Sequence, residues 1–336
     1  MLRSRFRARK EGAMSKSSPL YRFDAAVQAY ISSRRALGRA VRVDEYVLHR
    51  LRAYLAQAGY CDHDAENFER WRRQLHHCAH NTQVDWAMMV YRFCRYRRRR
   101  ESQCFLPERE TFGRHRPYPL PTPIEADQVW RLLDFISRRP ASAGRDLPYA
   151  VHRIAIVLMY TAGLRRGELA RLRMEDVDAE TGVLRIQCSK FHKSRWVPLS
   201  PSATHELRVY LRIRAAFVPR TARNAMLLCR SAERGYTAEG MSQAIRRVMC
   251  RSGIWANAPR MPRVHDFRHA FAVEALRRWY EEGRDVQSEL PKLSMYMGHV
   301  SIASTTYYLR FMPAVVALAS QRFASSCADL IDGGAL

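Results

Sequence analysis

Apolar side chains recur every three or four positions through the first hundred residues. Phe23, Val27, Tyr30 and Ile31 mark one stripe; Tyr46, Leu48, Leu51 and Leu55 mark a second. Phe68, Trp71 and Leu75 mark a third between Ala65 and His77, and Trp86, Met89, Val90 and Phe93 a fourth running from Thr82 to about Arg97. One apolar face per helix is what a small bundle needs to bury a core, so residues 21–105 are expected to form a four-helix domain. Five prolines then fall at Pro107, Pro117, Pro119, Pro121 and Pro123. Proline removes backbone donors and favours extended chain, which predicts a linker over 106–122 and a second domain from 123 to 312.

Helical periodicity resumes from Ile124 to Ser137 and again in the very apolar stretch Tyr149 to Thr161, which Gly163 ends. Further helices are expected at about 202–217, 238–251, 266–280, 289–297 and 304–310, with an apolar segment from Ala314 to Ala324 closing the chain. Val183 to Ile186 and Trp196 to Leu199 read as short strands joined by the loop Ser189 to Ser194. The fold class is therefore mainly α with a small β-hairpin, as two domains: a four-helix bundle and a larger α+β unit. No internal repeat is present.

Charge changes the picture. Lys and Arg total 57 against 32 Asp and Glu, and 57 − 32 gives a formal +25. An excess of that size points to a polyanionic partner, nucleic acid before membrane. No run of about 18 apolar residues is present to span a bilayer. The end of the fourth helix, Tyr91 to Arg100, holds six arginines: Arg92, Arg95, Arg97, Arg98, Arg99 and Arg100. Unpaired they would repel one another, so DNA phosphates are the expected partners, with the interleaved aromatics packing inward. Met1 to Lys16 is basic without an apolar core, so residues 1–20 are expected as a disordered arm rather than a signal peptide. The eight cysteines form no C-x-x-C pair, which suits reduced thiols in a cytoplasm. His76, His77, Cys78 and His80 lack a second ligand cluster and suit a helix end better than a zinc site.

The candidate chemistry sits in the second half. Gly163-Leu164-Arg165-Arg166-Gly167-Glu168-Leu169 comes first, then Lys190 and Lys193 in the hairpin loop with Arg195, Val197, Pro198 and Leu199 after them. His265-Asp266-Phe267-Arg268-His269 follows, then Gly298-His299 and Tyr307-Tyr308. Two guanidiniums can grip the non-bridging oxygens of a phosphodiester through forked donors and stay charged at any relevant pH. A tyrosine can attack the phosphorus and hold the bond as a phosphotyrosine, given a base or positive field to lower its ordinary pKa of about 10. A lysine can protonate the leaving oxygen. No metal is needed for these steps.

In order and spacing these boxes resemble the tyrosine recombinase (phage integrase) family over residues 120–325. G-L-R-x-x-E-L is matched at Gly163 to Leu169, H-x-x-R-H at His265 to His269, and G-H at Gly298-His299, with Tyr308 nine positions later. The lysine box is matched with Ser189 in place of the usual glycine. The resemblance implies Arg165, Lys190, His265, Arg268, His299 and Tyr308 as catalytic residues, Glu168 as an orienting partner, and neither metal nor cofactor. Lys193 is the rival of Lys190 and otherwise a DNA contact; Tyr307 is the rival of Tyr308 and otherwise a packing residue; His269 is read as structural. It further implies a clamp on double-stranded DNA, a tetramer on two paired sites, accessory recombinase subunits as further partners, and integration or transposition of a mobile element. The tail 313–336 either folds back on its own domain or docks on a neighbouring subunit. Two rivals share the features: strand relaxation like a type IB topoisomerase, and a DNA-binding accessory subunit without catalysis.

Overall fold

The computed structural model describes residues 20–138, 146–187, 194–218, 222–231 and 234–299, with the isolated positions 317, 320, 321 and 324. Lys190, Lys193, Tyr307, Tyr308, the basic arm up to residue 19 and the helices expected at 304–310 and 314–324 lie outside the described residues, apart from those four positions, while Leu20, expected at the end of the arm, is buried in the first unit's core. The chain divides into two compact units between Tyr118 and Pro119.

The first unit is the expected bundle: α1 (Tyr21–Ala36), α2 (Arg42–Gln57), α3 (Ala65–Arg73) and α4 (His80–Arg97). Most of each stripe predicted from spacing is buried, with Phe23, Leu48, Leu51, Leu55, Phe68, Trp71 and Phe93 essentially inaccessible, whereas Tyr46 is exposed and Trp86 and Met89 are half-buried. Asp64 starts α3 by accepting from the Asn67 N–H while Asn67 accepts from the Asp64 N–H, a reciprocal cap that satisfies two otherwise orphaned donors. The proline-rich stretch is less free than its composition implies. Its first half packs on this unit: a short 3-10 turn, Arg109–Phe112, buries Phe112 in the bundle core, and Asn81 exchanges hydrogen bonds with the Arg116 backbone. The connection between units is correspondingly later than residue 106.

Arg97 also departs from expectation. Arg92, Arg95, Arg98, Arg99 and Arg100 are exposed, but Arg97 is buried. Its guanidinium grips both Asp62 oxygens at 2.6 Å and bonds Glu101 at 2.7 and 2.9 Å. Asp62 in turn accepts from the backbone N–H of His63. Arg97 is a bundle residue, with its donors spent on carboxylates rather than held out toward phosphate.

The second unit is built around α6 (Asp146–Thr161), whose Val151, Ile154, Ala155, Ile156, Leu158 and Met159 are all buried. Around it pack α5 (Ala126–Ser137), α8 (Pro201–Phe217), α9 (Ala238–Ser252) and α10 (Asp266–Glu281). The hairpin gains an edge strand. β1 (Val177–Asp178), β2 (Val183–Ile186) and β3 (Arg195–Pro198) form an antiparallel sheet in that order, with Leu184 opposite Val197 in the core. A short ladder, β4 (Cys229–Ser231) with β5 (Arg234–Gly235), and a one-turn helix α7 (Arg166–Leu169) carry no periodic signal and were not expected. Finally, α11 (Val286–Met297) starts on an Asp285 cap and ends at Gly298 in the left-handed conformation. No helix of the described residues is long and apolar enough to cross a membrane.

Candidate active site

The site forms where the turn after α6, strand β3, the start of α10 and the end of α11 meet. Gly163 makes the first approach possible. It sits at φ +59°, and a Cβ there would lie 2.5 Å from the Phe271 ring. Arg165 then starts α7, its backbone N–H donating to Glu168 Oε2 at 3.0 Å and its Nη1 to Oε1 at 2.7 Å.

Glu168 is the hub. Its side chain is 1% exposed and faces three guanidiniums. Arg195 grips both oxygens at 3.0 Å, Arg165 takes Oε1, and Arg268 Nη1 stands 3.9 Å from Oε2. Burial pushes its pKa up, but the hydrogen bonds and charge of Arg195, then those of Arg165, outweigh burial and hold it down at about 2. Three cations and one carboxylate leave a local charge of 3 − 1 = +2 with the histidines neutral.

The same arginines cap α11. The last carbonyls of a helix have no intrahelical donor, and the dipole places negative charge there. Here Arg195 Nε donates to the Tyr296 carbonyl at 2.6 Å, Arg268 Nη2 to Met297 at 2.7 Å, and Arg165 Nη2 to Gly298 at 2.7 Å. Arg268 also donates to the Gly163 carbonyl, tying the α6 turn to the same cluster. The turn carrying His299 is thereby held by three cations from three distant parts of the chain. Tyr296 adds a bond from its hydroxyl to the Pro198 carbonyl at 2.9 Å and stacks on Phe271.

Three imidazoles complete the cluster. His265 stands at the N-cap of α10, and its ring meets that of His269 edge to face at 4.8 Å. Burial, and then the fields of His269, Arg268 and Arg165, lower the His265 pKa to about 3. Burial is also the main cause for His269, at about 4. His299 is held at about 4 by burial and by Arg268, Arg165, Arg195 and His269. All three are neutral near pH 7, so each can accept a proton or a hydrogen bond there, and a bound phosphate anion would draw all three pKa values upward. Among the described residues no group of His, Cys, Asp or Glu could hold a metal ion.

Of the residues expected from sequence, Arg165, Glu168, His265, Arg268 and His299 come together. His269, read as structural, joins them; its spacing of four from His265 is the helical signal for a shared face. Arg195 was quoted only as a flank of the lysine box, yet it makes three bonds within the cluster.

Comparison with known proteins gives a consistent picture. Residues 123–313, more than half of the chain, match the model of the phage integrase family. Two proteins of Sinorhizobium fredii (strain NBRC 101917 / NGR234) named as integrase/recombinases are each 31% identical to this chain. One, y4rE, aligns over 76% of this chain and 79% of its own length; the other, y4rB, over 89% and 96%. Among solved structures, a Tn1549 transposon integrase in complex with circular intermediate DNA superposes with a TM-score of 0.62 at 18% identity, covering 89% of this chain and 99% of that one. A XerH site-specific recombinase bound to a palindromic difH substrate superposes with a TM-score of 0.60 at 17% identity, covering 94% and 85%. These two likenesses are of fold.

Proposed function

This chain belongs to the phage integrase family of tyrosine recombinases, and from that premise we propose that it cuts and rejoins duplex DNA at specific sites through a 3′-phosphotyrosine on Tyr308. The observation that carries the reading is the convergence of Arg165, Arg195 and Arg268 on one buried carboxylate, with three neutral imidazoles beside those arginines. A net positive, partly water-excluded pocket stabilises the charge that grows on phosphoryl oxygens as the phosphorus becomes five-coordinate.

In the proposed step the Tyr308 phenol oxygen attacks phosphorus and the bond to the 5′ oxygen breaks. The phenol proton passes to His265, and Lys190 protonates the leaving 5′ oxygen. Arg165 and Arg268 bind the non-bridging oxygens, and His299 donates a further hydrogen bond through the N–H of its neutral ring. In the second step a 5′-hydroxyl attacks the phosphotyrosine and the protons return, so the phosphodiester bond energy is conserved and no ATP is consumed. The proposal extends to a tetramer on two synapsed sites, with Lys193 and the exposed arginines of 92–100 on the DNA backbone.

The test is a nicked duplex that traps the covalent intermediate, carrying sequence from the ends of the element that encodes the chain. A denaturation-resistant protein–DNA adduct is expected with wild type and Tyr307→Phe and not with Tyr308→Phe. Loss in Tyr307→Phe alone would move the nucleophile by one position. Duplex binding with no adduct from wild type would refute the catalytic reading.

A further inference from the structure

Arg195 is placed differently from the other two arginines. Arg165 and Arg268 lie in the two arginine boxes, whereas Arg195 opens β3, immediately after the loop that bears Lys190. Its side chain is 11% exposed, and its donors are turned inward: two onto Glu168 at 3.0 Å and one onto the Tyr296 carbonyl at 2.6 Å. The fit is tight enough to dictate a neighbour. A Cβ at Gly298 would stand 2.8 Å from Arg195 Nη1 and 3.1 Å from its Cζ, as well as 3.4 Å from Arg165 Nη1. Arg195 thus touches the carboxylate that orients Arg165 and braces the helix end that presents His299.

We propose that Arg195 is a positioning residue for strand cleavage: its fork locks Glu168 and the end of α11 together, so that Arg165, Arg268 and His299 converge on one phosphate. The planar fork is essential, because a lysine ammonium cannot span both carboxylate oxygens and the Tyr296 carbonyl in this geometry. The inference rests on the reading of the cluster as the phosphate site.

The experiment compares Arg195→Gln and Arg195→Lys with wild type in the full chain, measuring duplex affinity and, at saturating duplex, the single-turnover rate of adduct formation. Affinity is expected to stay within about threefold of wild type, because Arg195 makes no exposed contact, while the rate falls about a hundredfold in both variants, the scale of an ångström-size misplacement. If Arg195→Gln melts too low to assay, Arg195→Lys, which keeps the charge, carries the test. A wild-type rate in Arg195→Lys would overturn the proposal, since charge alone would then suffice. So would an affinity that falls in step with the rate, which would make Arg195 a binding or folding residue. An adduct with wild type and a normal rate in both variants would leave the catalytic reading standing and remove this one; no adduct with wild type would remove both.

Discussion

Replacing Glu168 with glutamine tests the hub of the site. The substitution keeps the shape and removes the charge, so it mimics the protonated carboxyl. In the folded chain Glu168 has a pKa of about 2, against an ordinary value of 4.5. At 1.36 kcal/mol per pH unit, that displacement corresponds to about 3 kcal/mol favouring the ionised over the neutral form. The carboxylate is almost fully buried, so solvent screening takes little from this figure. A folded pKa below the unfolded one contributes stability that is complete above pH 4.5 and is lost as pH falls toward 2. Glu168→Gln is therefore expected to lose about 3 kcal/mol at pH 7, with three guanidiniums left facing an amide. The assay is urea unfolding of the full chain at pH 7, with hydrogen exchange in α6 and α8 reporting the second unit separately. A variant within about 0.5 kcal/mol of wild type at pH 7 would refute the argument. A deficit that shrinks between pH 8 and 6 would place the responsible titration on some other group.

Other perturbations read different parts of the molecule. Gly298→Ala forces an L-residue into φ +67° and drives its Cβ to 2.8 Å from Arg195; a stability loss of about 1 kcal/mol from the backbone alone is expected, with slower adduct formation, and a wild-type melting temperature and rate would contradict it. Arg97→Ala should destabilise the first unit by about 2 kcal/mol, since its carboxylate partners keep part of their solvation, yet leave the salt dependence of duplex binding unchanged. Arg99→Ala should do the reverse, lowering the slope of log affinity against log salt by about 1 with little change in thermal stability; a fluorescence titration in graded salt separates the two. The histidine pKa values, lowered to about 3 for His265 and about 4 for His269 and His299, have the opposite charge logic from Glu168. Below pH 6.5 the unfolded chain takes up protons that the folded site refuses, so stability falls from pH 6.5 down toward 4. A melting temperature that stays flat over that window would show that these imidazoles are more accessible than the structure places them.

How legible the molecule is from its sequence depends on the range of the interaction concerned. The four bundle helices and the long helices of the second unit declare themselves because each buries a periodic face within one segment. The two-residue strands β1 and β5 and the single turn α7 have no room for a period, and only their partners create them. The arginine run shows both outcomes within one segment. Val90, Phe93, Cys94 and Arg97 follow helical spacing, so Arg97 shares the buried face, a periodicity that the expectation of a phosphate contact overlooked. What that periodicity cannot forecast is Asp62, 35 residues earlier, without which a buried guanidinium would be untenable. The cluster around Glu168 carries the same lesson further. The boxes around Arg165, His265 and His299 are visible as motifs, but the bonds that aim them span 133 positions from Arg165 to Gly298 and 101 from Arg195 to Tyr296. No local pattern encodes a guanidinium capping the end of a helix a hundred residues away. That requirement surfaces in the sequence only as a glycine at 298, where the left-handed turn and the crowding by Arg195 both exclude a side chain.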